Sequence, residues 1–402
     1  MNIFLILALS ILLIIVLLQK KVPIGFAMLA AGLFIWAFHT PNPMHLVNAV
    51  KRTFSMVRTY DVLIALYGIM CFEVELRTSG ALAGMVNGLE QIFSSIKFTL
   101  ASMPAFLGFL PSLGGAIFSA PIVEEASKGL NLSPEHKTAI NFWFRHIFEF
   151  SNPIIPGMII ACSIVGVPFS EFVSHLAWLT VIAFLVGYFY LMVPIKTPTI
   201  KTNSGTKTKY LIDILLCLFP VLFNFVLVMF FQLQPSIAMI TSAVSMYILL
   251  KLMHRNISAK EILIGGIDKK MFGNVLMILI FIQLLMVTDV LTEIVTAFKA
   301  SPLPIPVIVA IISFIIGVLT GMSQGHVAII MPIVAALAPG DMRMTAIAMA
   351  FGVGGQMLTP THVCYIVTLD YFKANFIKSL WPIFKCEATL LAIFTIVTYL
   401  TW

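Results

Sequence analysis

The sequence is poor in charged residues. Lys and Arg number 24 and Asp and Glu 17, so that 10% of the 402 residues are charged and 60% are hydrophobic. A soluble domain carries roughly 25% charged residues. A soluble fold could not bury this much apolar side chain, which excludes an ordinary water-soluble protein. The composition predicts an all-α integral membrane protein whose surface faces lipid.

Cysteine is also scarce, and none of the five cysteines lies in a CxxC pair or at another spacing typical of metal sites. We therefore expect each thiol to behave as a small buried hydrophobic side chain, and we predict no metal centre. The five are Cys71, Cys162, Cys217, Cys364 and Cys386.

Catalytic motifs are missing as well. The sequence contains no HExxH, no GxSxG and no Walker phosphate loop, which predicts that the protein is not an enzyme and needs no cofactor. Although the net charge is +7, the basic residues sit in short loops between apolar segments. That distribution orients a membrane protein and gives no reason to expect a nucleic-acid partner.

Long apolar runs dominate what is there. Each is near the ~20 residues that a helix needs to cross the hydrocarbon. Eight are uninterrupted, at 3–18, 22–38, 60–76, 172–194, 211–231, 235–252, 271–290 and 379–401. Four more, at 98–124, 139–168, 303–338 and 343–369, are broken by short stretches rich in Ser, Asn, Gly, Thr and Pro.

The breaks recur in the same order in both halves. Ser112-x-Gly114 aligns with Ser323-x-Gly325, and Asn152-Pro153 with Thr359-Pro360. If the first and third broken segments are hairpins that enter and leave on one side, each half crosses the membrane five times and the second half is inverted. With the central linker inside, 17 Lys and Arg lie in the cytoplasm and 5 outside, as the positive-inside rule favours.

This arrangement predicts ten transmembrane helices in two inverted-topology repeats, with both termini outside. The first repeat is 1–194, with helices 1–38, hairpin 98–124 and broken helix 139–168. A polar cytoplasmic linker follows at 195–210. The second repeat is 211–402, with helices 211–252, hairpin 303–338 and broken helix 343–369.

Broken helices are the candidate binding site. Bare backbone in hydrocarbon is costly, so a polar break persists where it lines a cavity or binds a ligand. Kinks in ordinary helices are the alternative. The hairpin tips contribute Ser112, Gly114, Gly115, Ser323, Gln324, Gly325 and His326, where sodium is a possible ligand. The unwound segments contribute Ser151, Asn152, Pro153, Thr359, Pro360, Thr361 and His362.

Arg145 and Glu149 precede the first unwound segment. They are predicted to lie on one helix, and their four-residue spacing puts them on one face. They are either an internal ion pair, or an anion-binding arginine with a coupling carboxylate. His326 and His362 have no counterparts in the first half, and we expect them to contact the substrate or carry a proton, or else to be hydrogen-bonded structural residues.

The segments SLGG with APIVEEA, FRHIFEFSNPIIPG and GxGGQMLTPTH resemble an uncharacterised prokaryotic membrane family, domain of unknown function 401. That family is similar to the ion transporter superfamily of dicarboxylate–sodium symporters and citrate and gluconate transporters. The resemblance implies an elevator-type transporter, with helices 1–38 and 211–252 as a dimerising scaffold. The relatives carry an Asn at each hairpin tip, which both tips here lack.

The sequence thus predicts a secondary active transporter in the cytoplasmic (inner) membrane of a prokaryote. Its expected substrate is a small anionic, carboxylate-type solute, coupled to a sodium or proton gradient. The expected partners are this solute, membrane lipid and a second copy of the chain in a homodimer. The alternative is a sodium/proton antiporter of the same superfamily.

Overall fold

The computed structural model describes residues 3–20, 22–81, 84–85, 95–109, 115–196, 207–360 and 362–402. Every regular element within these ranges is a helix, which confirms the all-α prediction. Five helices there are long and apolar enough to cross a membrane. They are Phe169–Met192, Leu211–Met229, Pro235–Leu252, Lys269–Val287 and Phe376–Thr401.

Large apolar side chains lie on the outside of these helices. Ile237 and Val244 on one helix, and Ile396 on another, each expose half or more of their surface. A water-soluble protein rarely leaves so many apolar side chains uncovered. Together with the long apolar helices, this surface identifies a multi-pass membrane protein.

The chain forms two compact units, each assembled from three segments. The first unit comprises Met1–Leu66, Pro156–Pro168 and Ile267–Gln356. Its helices are α1 (Ile3–Gln19), α2 (Ile24–His39), α3 (Pro43–Ser55), the start of α4 (Val57–Thr78), α8 (Pro156–Val165), α13 (Lys269–Val287), α14 (Val290–Lys299), α15 (Ile305–Thr320), α16 (Ser323–Leu337) and α17 (Met342–Met357).

The second unit comprises Tyr67–Ile155, Phe169–Gly266 and Met357–Trp402. Besides the rest of α4, its helices are α5 (Ile96–Phe109), α6 (Gly115–Ala126), α7 (Pro134–His146), α9 (Phe169–Gly187), α10 (Lys207–Met229), α11 (Pro235–Leu252), α12 (Ala259–Gly265), α18 (Val363–Phe372) and α19 (Phe376–Thr401). A 3₁₀ turn, Ile147–Phe150, follows α7, and a π segment, Tyr188–Met192, follows α9.

Within the first unit, α13 packs against α2 and α3, and α8 packs along α16. The Gly25 amide donates a hydrogen bond to Asn274 Oδ1 at 3.1 Å, which joins the backbone of α2 to α13. Helix α3 begins where the Asn42 side chain accepts a hydrogen bond from the Met44 amide and Pro43 occupies the first turn. Both features are favoured at helix N-termini.

Within the second unit, α7 is the central helix and packs against α5, α6, α18 and α19. The Ser133 hydroxyl caps its start by accepting from the His136 amide. Every residue of 138–146 is buried, and the Trp143 indole donates to the Ala183 carbonyl at 3.0 Å. Such all-round burial is typical of a helix enclosed by others.

Three of the four interruptions lie among the described residues. Helix α15 ends at Thr320 and α16 begins at Ser323. Non-α backbone separates α7 from α8, and residues 358–362 separate α17 from α18. The first tip, with Ser112 and Gly114, lies outside the described residues, and so does Thr361. Gly115 is the first residue of α6.

The helices on either side of the third interruption, between Thr320 and Ser323, are short. Helix α15 has 16 residues and α16 has 15, so they are about 24 Å and 22 Å long at 1.5 Å per residue. Both are shorter than the ~30 Å hydrocarbon core of a bilayer. Neither helix alone would therefore cross the hydrocarbon core if it lay perpendicular to the membrane plane.

Helices α15 and α17 approach each other at glycine. A Cβ added at Gly317 would overlap the Gly352 carbonyl oxygen, and one added at Gly355 would overlap the Phe314 carbonyl oxygen. A Cβ at either glycine therefore requires the backbone of the facing helix to shift. We expect Gly317→Ala and Gly355→Ala each to destabilise the protein by about 1–3 kcal/mol, the usual cost of overpacking.

Thermal unfolding in detergent would measure this effect. The matched control is Gly273→Ala in α13, where an added Cβ meets nothing within 4 Å. It should leave the unfolding temperature unchanged or raise it, because alanine favours the helix. Equal behaviour of all three variants would refute the close approach.

Candidate functional site

Residues Ser323–His326, called here the serine–histidine turn, form the first turn of α16. Gly321 ends α15 with a left-handed backbone (φ 64°), and Met322 is extended before α16 starts. The Ser323 and His326 side chains are both buried, with His326 fully so. The Gly325 and His326 amides donate to the Met322 carbonyl at 3.1 and 3.3 Å. The Ser323 and Gln324 amides have no acceptor within the helix, so they are the donors that the turn presents beside these side chains.

His326 lies against backbone. A Cβ added at Gly352 in α17 would overlap Cδ2 and Nε2 of the imidazole. Neither ring nitrogen makes a well-formed hydrogen bond to any described residue, although the Met322 backbone is nearby. A buried polar group without a partner is destabilising, and such groups are rare in native proteins unless a water, ion or ligand satisfies them.

Ser323 lies against α8. A Cβ added at Gly157 would be 2.7 Å from the Ser323 Cβ and 2.9 Å from its Oγ, so only glycine allows this approach. The predicted tip residue Gly325 packs on the Thr320 side chain, while Gln324 is partly exposed. The structure therefore places the four predicted residues of the second tip in one turn, with Ser323 and His326 facing protein.

In the second unit, the first unwound segment is internally hydrogen-bonded. The Ser151 and Thr180 hydroxyls are 2.7 Å apart, and Asn152 Oδ1 accepts from the Ile154 amide at 3.2 Å. Asn152 is 1% exposed. The side-chain oxygen of Asn152 thus stabilises the turn at Pro153, as in an Asx turn.

The other unwound segment contributes buried Thr359, exposed Pro360 and buried His362. His362 is the residue before α18 and makes no capping hydrogen bond with its side chain. Thr359 and Pro360 belong to the second unit, as do Ser151 and Asn152.

Arg145 and Glu149 do not share one α-helical face. Helix α7 ends at His146, and Glu149 lies in the 3₁₀ turn, where the spacing of 3.6 residues per turn no longer applies. Arg145 is buried and donates to the Leu107 carbonyl at 3.2 Å. A Cβ added at Gly108 would overlap the Arg145 carbonyl oxygen, so α5 and α7 are in backbone contact here.

Three potential metal ligands meet in the second unit. His146, His362 and Cys364, called here the imidazole–thiol cluster, each place a ligand atom within 4.8 Å of the other two. The two imidazole rings are 4.7 Å apart between centroids. Both histidines are buried, and Cys364 is partly exposed.

The sequence alone does not show that these three residues are neighbours. The sequence predicts His362 as a site residue and Cys364 as a buried apolar side chain, and it assigns no role to His146. The local patterns that reveal metal sites from sequence require ligands close together in the chain. Here the ligands come from two distant segments.

Two carboxyl groups are buried in the protein, which the sequence does not predict. Glu75 in α4 and Glu387 in α19 are each 1% exposed, and one oxygen of each makes no hydrogen bond to the described residues. Glu75 lines an apolar cavity of about 280 Å³ with Tyr67, Cys71 and Tyr247. A single Glu in an apolar run is visible in the sequence, but its depth in the protein is not.

Comparison with known proteins identifies a family and a solved structure of similar fold. The family described as "Protein of unknown function (DUF401)" matches residues 2–402. No curated protein matches the chain. Among solved structures, the chain is similar to the YdaH transporter of Alcanivorax borkumensis, whose crystal structure "reveals an unusual topology". The two are 11% identical with a TM-score of 0.64, over 91% of this chain and 90% of that one.

The environment of His326 predicts an unusual response to mutation. Replacing a buried, unsatisfied imidazole by an apolar side chain removes a desolvation cost. We expect His326→Leu to unfold at the same temperature as the unmodified protein or higher, while losing function. Thermal unfolding in detergent measures the first part. A fall of several degrees would show instead that the imidazole holds the fold together.

Proposed function

Since the chain belongs to the DUF401 family, we propose that it is a secondary active transporter. It moves a small carboxylate-type anion across the cytoplasmic membrane of a prokaryote. The movement is coupled to a sodium or proton gradient. The transporter fold of the YdaH protein, which the chain shares over most of its length, supports this general function.

The observation that carries the proposal is the serine–histidine turn. A helix begins there within apolar surroundings and presents first-turn amide groups beside buried Ser323 and His326. Amide donors and the positive end of the helix dipole stabilise a carboxylate. Both ring nitrogens of His326 still lack a well-formed bond to any described residue, and a bound anion or a transferred proton supplies one.

The proposed architecture has ten transmembrane helices in two inverted repeats, 1–194 and 211–402. The short helices α15 and α16 support a re-entrant hairpin, because neither spans the hydrocarbon alone. Residues 1–38 and 211–252 are the proposed scaffold of a homodimer, and the hairpins and broken helices move by an elevator mechanism. Both termini face outside in this arrangement.

Sodium is proposed to bind at the helix ends, where carbonyl oxygens and hydroxyl groups are available. The C-terminal carbonyls of a broken helix carry partial negative charge and are suitable ligands for a hard cation. Thr359 is fully buried, two residues after the end of α17. Its hydroxyl is therefore a proposed sodium ligand.

One observation favours the alternative, a sodium/proton antiporter. Antiport needs a carboxyl group that exchanges a proton, and buried Glu387 has an oxygen without a hydrogen bond to the described residues. Glu124 is a weaker candidate, because Lys137 Nζ lies 2.9 Å from its carboxylate and the group is 43% exposed. Retention of sodium-driven proton movement by Glu387→Gln would remove this support.

Transport can be tested by counterflow of labelled carboxylates in proteoliposomes, with and without a sodium gradient. We expect Ser323→Ala and Asn152→Ala to reduce the initial rate at least about tenfold, because each removes a polar group from a broken helix. Ser174→Ala is the matched control, since Ser174 is exposed and bonds only its own helix. If neither site variant alters transport, the assignment of the breaks as the binding site is wrong.

The proposed orientation has its own test. We expect Lys51→Cys to react with a membrane-impermeant maleimide in intact cells, and Lys201→Cys to react only after permeabilisation. The reason is the positive-inside arrangement of the loops. Mass spectrometry of the labelled peptides separates these sites from the five native cysteines. Labelling of both positions from one side would exclude an inverted repeat with the central linker inside.

A further inference from the structure

We propose that the imidazole–thiol cluster of His146, His362 and Cys364 is a binding site for a transition-metal ion of the Zn²⁺ class. The cluster lies wholly within the second unit. The inference does not rest on the proposed transport activity, because it follows from the side chains alone and can be measured in the absence of transport.

The spacing suits a metal ion. In a tetrahedral zinc site, ligand atoms are about 3.5 Å apart, given bond lengths of 2.0–2.3 Å. The three ligand atoms lie within 4.8 Å of one another, so each pair has to close by at most about 1.3 Å. Small side-chain movements are therefore enough to bring all three ligand atoms onto one ion.

A second set of contacts orients His146. Its Nδ1 is 2.7 Å from the Phe142 carbonyl oxygen, which can only accept, so Nδ1 carries the proton. The lone pair is then on Nε2, the nitrogen available to a metal. Metal-binding histidines usually hold their other ring nitrogen in this way, with a backbone carbonyl or carboxylate fixing the tautomer.

Aromatic packing holds both rings. The Phe142 ring lies 4.6 Å from His146 and 4.9 Å from His362 between centroids, edge-on to the latter. Phe142 is fully buried and also contacts Tyr365 in α18. The imidazoles therefore need little reorganisation to bind, and a site held by rigid neighbours loses less entropy when it is occupied.

The position of Cys364 in the fold favours the thiolate form of its side chain over the thiol. Cys364 is in the first turn of α18, where the helix dipole stabilises negative charge. Binding replaces the thiol proton by a metal–sulfur bond and releases that proton to water. Partial exposure of Cys364 provides a route of entry for the ion.

The donor set selects the ion. Two imidazole nitrogens and one thiolate suit Zn²⁺, whereas Mg²⁺ and Ca²⁺ require oxygen ligands. Three protein ligands leave a fourth tetrahedral position, which a water molecule can occupy. Such an open position is typical of sites where the ion exchanges or binds a further ligand.

Metal binding to the full chain, purified in detergent without a polyhistidine tag, tests the proposal. We expect equilibrium dialysis to give one Zn²⁺ per chain, and Co²⁺ to produce the thiolate charge-transfer band in the near ultraviolet. Cys364→Ser and His362→Asn should each weaken Zn²⁺ binding at least about tenfold. Unchanged affinity in both variants would overturn the proposal.

Two matched controls separate the cluster from other thiols and imidazoles. Cys386→Ala removes a buried cysteine of the same unit, and His175→Asn removes an imidazole whose Nδ1 bonds the Glu171 carbonyl. Both should keep the Zn²⁺ affinity and the cobalt band. Loss of the band in Cys386→Ala would assign the bound ion to another thiol.

A measurement on the unmodified protein avoids any folding defect of the variants. The alkylation rate of Cys364, followed by peptide mass spectrometry, should fall at least about tenfold when Zn²⁺ is added, and recover with a chelator. Cys162, which is buried in the first unit, should show no change. If Zn²⁺ does not protect Cys364, the cluster is not a metal site.

Discussion

Hydrogen bonding of the backbone is the constraint on which this structure depends. Where one helix ends and the next begins in apolar surroundings, the last carbonyl groups of the first helix and the first amide groups of the second have no helical partner. Hydrocarbon contains no water that could form hydrogen bonds with them. This chain meets the cost locally. Gly321 turns with a left-handed backbone after α15, and the Asn152 side chain accepts from the Ile154 amide. Because the breaks persist, polar side chains are held inside the protein, and those are the residues that we propose bind a solute or an ion.

Much of the fold can be predicted from the sequence because helix signals are local. The apolar runs, together with Pro43 and Pro134 at helix starts, locate most helices, and Gly, Ser, Asn and Pro mark the breaks. The two compact units could not be predicted in this way. Each unit brings together segments from both halves of the chain, and that assembly is decided by packing between distant residues.

The candidate site is less predictable than the fold. His326 and His362 stand out because the first half has no counterpart for them, and both are buried. The residues that contact these two histidines cannot be identified from the sequence. Gly352 places backbone against the His326 ring, and His146 and Cys364 join His362 only when α7 and α18 pack. Burial of Glu75 and Glu387 is hidden for the same reason, since depth depends on which helices surround a residue.

The division of each unit into separated segments has a consequence for biosynthesis. The first unit needs 267–356 and the second needs 357–402, so neither can complete its packing until almost the whole chain has left the ribosome. The helices that are synthesised first are therefore inserted into the membrane as independent segments, and each is stabilised by its own backbone hydrogen bonds. Chains truncated near the C-terminus would therefore be inserted but not packed. In such chains α7 would lack the helices that normally enclose it and would be accessible to a quality-control protease.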